Sequence, residues 1–240
     1  MKLLAVDVGN TEIKRAIIDD GVIGPVKRDP TKEIDRVVEE IGYGQLPIGL
    51  CSVRKPATEK IKNVLAEKKI ELICEVNDSV RNPVSGFYQG MGADRIAELA
   101  AAWVKHEGKP VLVIGLGTAT TCSAASRAGI FKGGFITLGI GALCATLTEA
   151  LPELPTIDPK NARSVEPGFD VYGSICRGTL SAHVGIVEEW IRMFREEVGE
   201  DLVVVATGGW SESIAPYCRS INETDPLLTL RGIWEITKAG

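Results

Sequence analysis

The sequence predicts a two-lobed α/β fold. Short apolar strand-like runs alternate with helical periodicities along the chain, the pattern of strands linked by crossover helices. A strand–turn–strand unit opens the chain and returns after residue 110, with glycine and threonine in both turns. No apolar run approaches the ~20 residues that a membrane span needs. The break at Gly108-Lys109-Pro110 sets the expected lobes at 1–106 and 107–240.

In the first lobe, residues 3–8 read as a buried strand, Gly9-Asn10-Thr11 as a turn and residues 13–19 as the returning strand. Asp19-Asp20-Gly21 marks the next turn, and Val22-Ile23 a short third strand. Thr31 has the character of a helix N-cap, followed by Ile34, Val37, Val38 and Ile41 at helical spacing. Residues 48–53 form an apolar strand, 58–68 a helix and 70–76 another strand. A long helix is expected from Ala93 to about His106.

The second lobe repeats the theme. Residues 111–114 are a strand, 115–118 a turn, 120–126 the returning strand and 130–137 a third. A helix near 141–151, a polar loop over 155–167 and a long helix near 172–198 follow. Residues 202–206 form a strand ending in Thr207-Gly208-Gly209, and a short helix is expected near 231–238.

Composition narrows the function class. Hydrophobic residues make up 45% and charged residues 25%, as in an ordinary globular protein. The formal charge of -5 offers no general attraction for nucleic acid or anionic membranes. Asp7 interrupts any leader-like core. The six cysteines are scattered without a Cys-x-x-Cys pair, so buried free thiols and a reducing cytoplasm are expected.

Four places can carry chemistry. Asp7-Val8-Gly9-Asn10-Thr11, with Lys14, puts a rigid carboxylate at a strand end beside a turn whose amides can hold a phosphate; the Asp can hold Mg²⁺. An ordinary hairpin turn explains the same residues. Gly117-Thr118-Ala119-Thr120-Thr121 is a second small, hydroxyl-rich turn with the same two readings, and the pairing of two such turns favours a triphosphate held between them. Asp94 and Arg95, after Gly92-Ala93, begin an otherwise apolar helix. They serve either as helix-end charges or as a general base and an anion-binding group. Gly208 and Gly209 make a strand–helix turn that a flat base can approach. Neither a phosphate-loop lysine motif nor a Gly-x-Gly-x-x-Gly fingerprint occurs.

In this order the motifs resemble those of the type III pantothenate kinases. That resemblance implies an actin-like (ribonuclease H-like) ATPase fold with duplicated mixed sheets flanked by helices. It implies ATP-dependent phosphorylation of the primary hydroxyl of pantothenate, the first step of coenzyme A biosynthesis. By the same resemblance Asp94 is the catalytic base, and Gly92, Arg95, Tyr88 and Val171 stand at substrate positions. Asp7, Gly9, Asn10, Thr11, Lys14, Gly117, Thr118, Thr120, Gly208 and Gly209 stand at nucleotide positions, with Asp7 organising Mg²⁺. The family also implies a homodimer and a monovalent cation, K⁺ or NH₄⁺. Gly115 replaces the family's usual Asp, and Asp170-Val171 stands where the family has Asn-Thr. Two other readings stay open on those departures: a catalytically impaired nucleotide-binding homologue acting as regulator or partner subunit, and a kinase of a different small alcohol.

Overall fold

Leu3, Ala5 and Asp7 face one side of the first strand, and Leu4, Val6 and Val8 the other, by the period-2 alternation of a pleated chain. The computed structural model of the chain describes residues 1–240. It forms two compact units, Met1–Glu107 with Leu227–Gly240, and Gly108–Pro226.

In the first unit β1 (Lys2–Val8) pairs antiparallel with β2 (Glu12–Asp19), in register from Lys2↔Asp19 to Val8↔Ile13. β3 (Val22–Ile23) and β4 (Lys27–Pro30) both pair with β2. After α1 (Ile34–Gly42), β5 (Ile48–Ser52) lies parallel to β1. After α2 (Lys55–Lys68), β6 (Leu72–Glu75) lies parallel to β5. α3 (Ala93–Lys105) ends the first pass through this unit.

The second unit has β7 (Val111–Leu116), β8 (Ala119–Ala125), β9 (Phe131–Gly133), β10 (Ile136–Leu138), α4 (Ile140–Ala150) and α5 (Val171–Val198). β11 (Val203–Thr207), α6 (Ser211–Ile214) and β12 (Glu223–Thr224) complete it. The first sheet runs β3-β2-β1-β5-β6 and the second β10-β8-β7-β11-β12. In both, three antiparallel strands lie on one side of the opening strand, β4 and β9 included, and two parallel strands on the other. The repeated turns in the sequence therefore belong to a repeated topology.

The final helix, α7 (Leu228–Ala239), packs in the first unit. Read by chain order alone, this stretch falls in the second lobe; packing returns it to the first unit. α1 and α2 cover one face of the first sheet: Val37, Val38, Ile41, Ala57, Ile61 and Leu65 pack on Val6, Val8 and Leu50. Full burial of one such Ile or Leu contributes roughly 1.5–3 kcal/mol. α7 covers the opposite face, where Ile233 lies against Gly49. It also lies close against α3, because Gly232 abuts the main chain of Ala97; a Cβ there would stand 2.0 Å from the Ala97 carbonyl oxygen. In the second unit, Leu112, Ile114, Leu116, Val204 and Ala206 form a core with residues of α4, α5 and α6.

Several elements differ from expectation for local reasons. Thr31 does not cap α1; it opens a 3-10 turn, Thr31–Glu33, and its hydroxyl donates to the Gly9 carbonyl at 2.9 Å. α2 begins at Lys55, with Pro56 in its first turn, where a missing N–H costs nothing. The strand expected over 130–137 is two strands, broken at Gly133, whose φ is +107°. β4 was not anticipated, because Lys27-Arg28-Asp29-Pro30 lacks apolar alternation. Its charges are matched instead, by Arg15, Glu12 and Glu40. All six cysteines are free and buried. No helix is long and apolar enough to cross a membrane.

Candidate active site

The first turn is tightened by the Gly9 N–H, which donates to the Glu12 carbonyl at 3.0 Å. Asn10 and Thr11 are exposed at its tip. The Thr31 N–H donates to the Thr11 carbonyl at 3.0 Å, so the tip is held from the following segment. Arg54, which sequence reasoning missed, reaches the Asn10 carbonyl with Nη1 at 3.4 Å. Its signal was the Arg54-Lys55 pair directly after an apolar strand end.

Asp7 lies at the end of β1, only 7% exposed. Lys14 pairs with it across the hairpin, Nζ to Oδ2 at 3.9 Å. Burial pushes the Asp7 carboxyl up to about 7; Lys14 opposes the shift and Asp94 adds to it. A carboxyl so desolvated, with one distant cation, is a fitting ligand for a divalent ion. Mg²⁺ is commonly held by one or two carboxylates together with substrate phosphates.

Asp94 and Arg95 occupy the first turn of α3, with Gly92 at its N-cap. Gly92 lets the Asp94 carboxyl lie close over the N-cap, since a Cβ would stand 2.7 Å from Asp94 Oδ1 and turn that side chain aside. That oxygen accepts the Arg95 backbone N–H at 2.8 Å. Burial raises the Asp94 carboxyl above its ordinary value, and the bond from the Arg95 backbone opposes it. Arg95 is buried, and its Nη1 donates to the exposed Tyr88 hydroxyl at 2.8 Å. The structure thus brings Asp7, Lys14, Asp94, Arg95 and Tyr88 into one unit and couples Asp7 electrostatically to Asp94.

Sequence reasoning also missed Glu98. It stands one turn beyond Asp94, and its carboxyl is pushed up to about 8 by burial and by the Asp94 charge. The available signal was an acid set among Ile96, Ala97, Leu99 and Ala100.

In the second unit the Gly117 N–H donates to the Ala119 carbonyl at 3.0 Å, closing the second turn with Thr118 exposed. Thr120 behaves differently from Thr118. It shares the core side of β8 with Cys122 and Ala124, and its buried hydroxyl has no hydrogen-bond partner. Gly208, with φ +96°, lies directly on the Leu116 carbonyl, where a Cβ would stand at 2.5 Å. Gly209 is exposed, with open space around its Cα. Val171 begins α5 and is 56% exposed. Asp170, ahead of it, is the N-cap: its Oδ1 accepts the Gly173 N–H at 2.7 Å.

The family profile described as Type III pantothenate kinase matches residues 3–193. The type III pantothenate kinase of Bifidobacterium adolescentis is 31% identical over 263 residues, covering 98% of each chain. Among solved structures, a protein of Campylobacter jejuni described as a Baf family transcriptional activator has a TM-score of 0.64 at 22% identity, covering 98% of each chain. MreB 5 of Spiroplasma citri, solved with AMPPNP, has a TM-score of 0.58 at 11% identity, covering 99% of this chain and 95% of that one. These two structural likenesses bear on the fold, which is the actin-like ATPase fold.

Proposed function

The chain belongs to the type III pantothenate kinase family, and on that premise we propose how its residues phosphorylate the primary hydroxyl of pantothenate with ATP. Asp94 accepts the hydroxyl proton. The freed oxygen attacks the γ-phosphorus, and the bond to the leaving ADP breaks. Phosphoryl transfer asks the protein for positioning and charge neutralisation more than for covalent chemistry, and one base suffices. The observation that carries this reading is Asp94 itself, a desolvated carboxyl at a helix start oriented by the Arg95 backbone N–H. Arg95, steadied by Tyr88, pairs with the pantothenate carboxylate.

Asp7 would hold Mg²⁺, which when bound neutralises charge on the phosphates. Gly9, Asn10, Thr11 and Lys14 are the first unit's phosphate residues. Gly117 and Thr118 are the second unit's, with Thr120 supporting them, and Gly208 and Gly209 form the adenosine-side turn. Gly115 sits on β7 between Thr121 and Thr207 and carries no side chain. Any K⁺ or NH₄⁺ at that point would have no carboxylate from position 115 to hold it, and a K⁺ titration of the rate tests whether the enzyme depends on the cation.

A homodimer is supported by apolar side chains left exposed in the second unit. Phe169 is 96% exposed, and Val171 and Tyr172 at the head of α5 are exposed with it. Phe169→Asp is expected to shift the mass measured by light scattering from dimer to monomer. Six free buried thiols support a reducing, cytoplasmic setting.

The deciding experiment measures phosphopantothenate from ATP, Mg²⁺ and pantothenate. Asp94→Asn should lower kcat by roughly 10²–10⁴ while ATP still binds. A wild-type protein that binds ATP yet phosphorylates only other alcohols, or none, would sink the proposal.

A further inference from the structure

Glu98 lies one helical turn beyond Asp94 on α3, so the two carboxyls share a face of that helix. Its neighbours Ile96, Ala97, Leu99 and Ala100 are fully buried, and Glu98 is only partly exposed. The carboxyl is held from a second helix: Thr229 Oγ1 of α7 donates to Glu98 Oε1 at 3.0 Å. Thr229 is itself buried, and the contact of Gly232 with Ala97 sets the approach of α7 to α3. Desolvating an acid beside another acid, with a neutral hydroxyl as its hydrogen-bond partner, costs stability that an apolar residue would not. Packing therefore gives no reason for a glutamate here.

We propose that Glu98 is a positioning residue that acts through Asp94, with its own carboxyl fixed from α7 by Thr229. The inference rests on the reading of Asp94 as the base. The charged and titratable groups around Glu98 are Asp94 on its own helix, Asp7 on β1, Lys14 on β2 and Cys51 on β5; α7 contributes the Thr229 hydroxyl. Two neighbouring carboxyls in a desolvated site do not both ionise at neutral pH, and their roles divide according to which holds the proton. Burial and Asp94 favour the protonated form of Glu98; burial raises Asp94 as well, but there the Arg95 backbone N–H donates to the carboxylate and opposes the rise. Glu98 keeps the proton, and Asp94 is left charged and able to accept another. When Glu98 ionises, its charge raises the proton affinity of Asp94 and repels incoming phosphates, and the rate falls.

Steady-state kinetics against pH on Glu98→Gln, Glu98→Ala and Thr229→Val test this with ATP, Mg²⁺ and pantothenate. Glu98→Gln mimics the neutral acid. It should keep kcat at pH 7 within about 3-fold and lose the alkaline fall expected of the wild type near pH 8. Glu98→Ala and Thr229→Val should lower kcat by about 10-fold with KM little changed. Glutamine as damaging as alanine at pH 7, an unaffected alanine variant, or a loss confined to KM overturns the inference. Carbon-13 NMR of the Glu98 carboxyl gives a readout independent of activity and of whether Glu98→Ala folds. Its midpoint should drop by about half a unit or more in Asp94→Asn, and an unmoved midpoint also overturns it. A wild type inactive on pantothenate would instead remove the functional reading, and the NMR titration would still decide the Asp94–Glu98 relationship.

Discussion

Lys14 Nζ stands 3.9 Å from Asp7 Oδ2 across the first hairpin, yet burial leaves Asp7 with a raised proton affinity. At this distance in a desolvated site the lysine offsets burial only in part. In metal-free buffer the folded protein therefore retains a proton at Asp7 up to about pH 7, whereas the unfolded chain releases it near the ordinary aspartate value of 3.8. Between those values the native state binds more protons, so stability falls as pH rises. Glu98 acts in the same direction up to about pH 8. Asp7→Asn is expected to be more stable than wild type at pH 8 by on the order of 2–4 kcal/mol. At pH 3 the two should be nearly equal, as urea unfolding at both pH values would show.

The opposite sign belongs to the cluster around Asp29. Arg15 Nη2 reaches Asp29 at 2.6 Å and Glu40 at 3.0 Å, and Arg36 reaches the other Asp29 oxygen at 2.6 Å. The arginines hold the Asp29 carboxyl below its ordinary value; Lys27 and Arg15 hold Glu40 down to about 2. Their stabilisation is present above the unfolded carboxyl pKa and is lost as pH falls through the folded one. Acid unfolding should therefore draw on this cluster between about pH 4 and 2. Asp29→Ala leaves Arg15, which is 7% exposed, with Glu40 as its ion-pair partner and should cost about 1–3 kcal/mol at pH 7. A melting temperature unchanged by Asp29→Ala would contradict this account.

Gly139 and Gly208 brace the second turn from two sides. A Cβ at 139 would stand 2.2 Å from the Gly117 carbonyl oxygen, and one at 208 would stand 2.5 Å from the Leu116 carbonyl oxygen. Both contacts are to main chain, which cannot swing away. Gly139→Ala and Gly208→Ala are each expected to cost about 1–3 kcal/mol and to raise KM for ATP. Gly209→Ala has room and should fold normally, so any rise in its ATP KM would report nucleotide contact alone. Calorimetry paired with ATP kinetics separates the two effects.

Tyr88 supports Arg95 through one hydrogen bond of 2.8 Å. Removing it in Tyr88→Phe loses about 1 kcal/mol of orientation. The expected result is a KM for pantothenate raised by roughly 3–10-fold with kcat near wild type. A kcat defect without a KM change would assign Tyr88 a different part.

The sequence by itself determined the strand–turn–strand units, most of the helices, and the placing of Asp7 at a strand end and Asp94 at a helix start. These follow from local rules: apolar period, turn residues and helix-end preferences act over a few neighbours. Motif order carried the family resemblance for the same reason, since it is a property of the chain read in one direction. Tertiary structure decided what depends on contacts between distant segments. Thr31 looked like a helix cap until the Gly9 carbonyl, 22 positions away in sequence, took its hydroxyl. Thr120 resembled Thr118 until the sheet turned one toward the core and left the other exposed. Glu98 read as one more helical residue. Its partner Thr229 lies 131 positions along the chain, and only the packing of α7 on α3, made possible by the missing side chain at Gly232, brings that hydroxyl to the carboxyl beside Asp94.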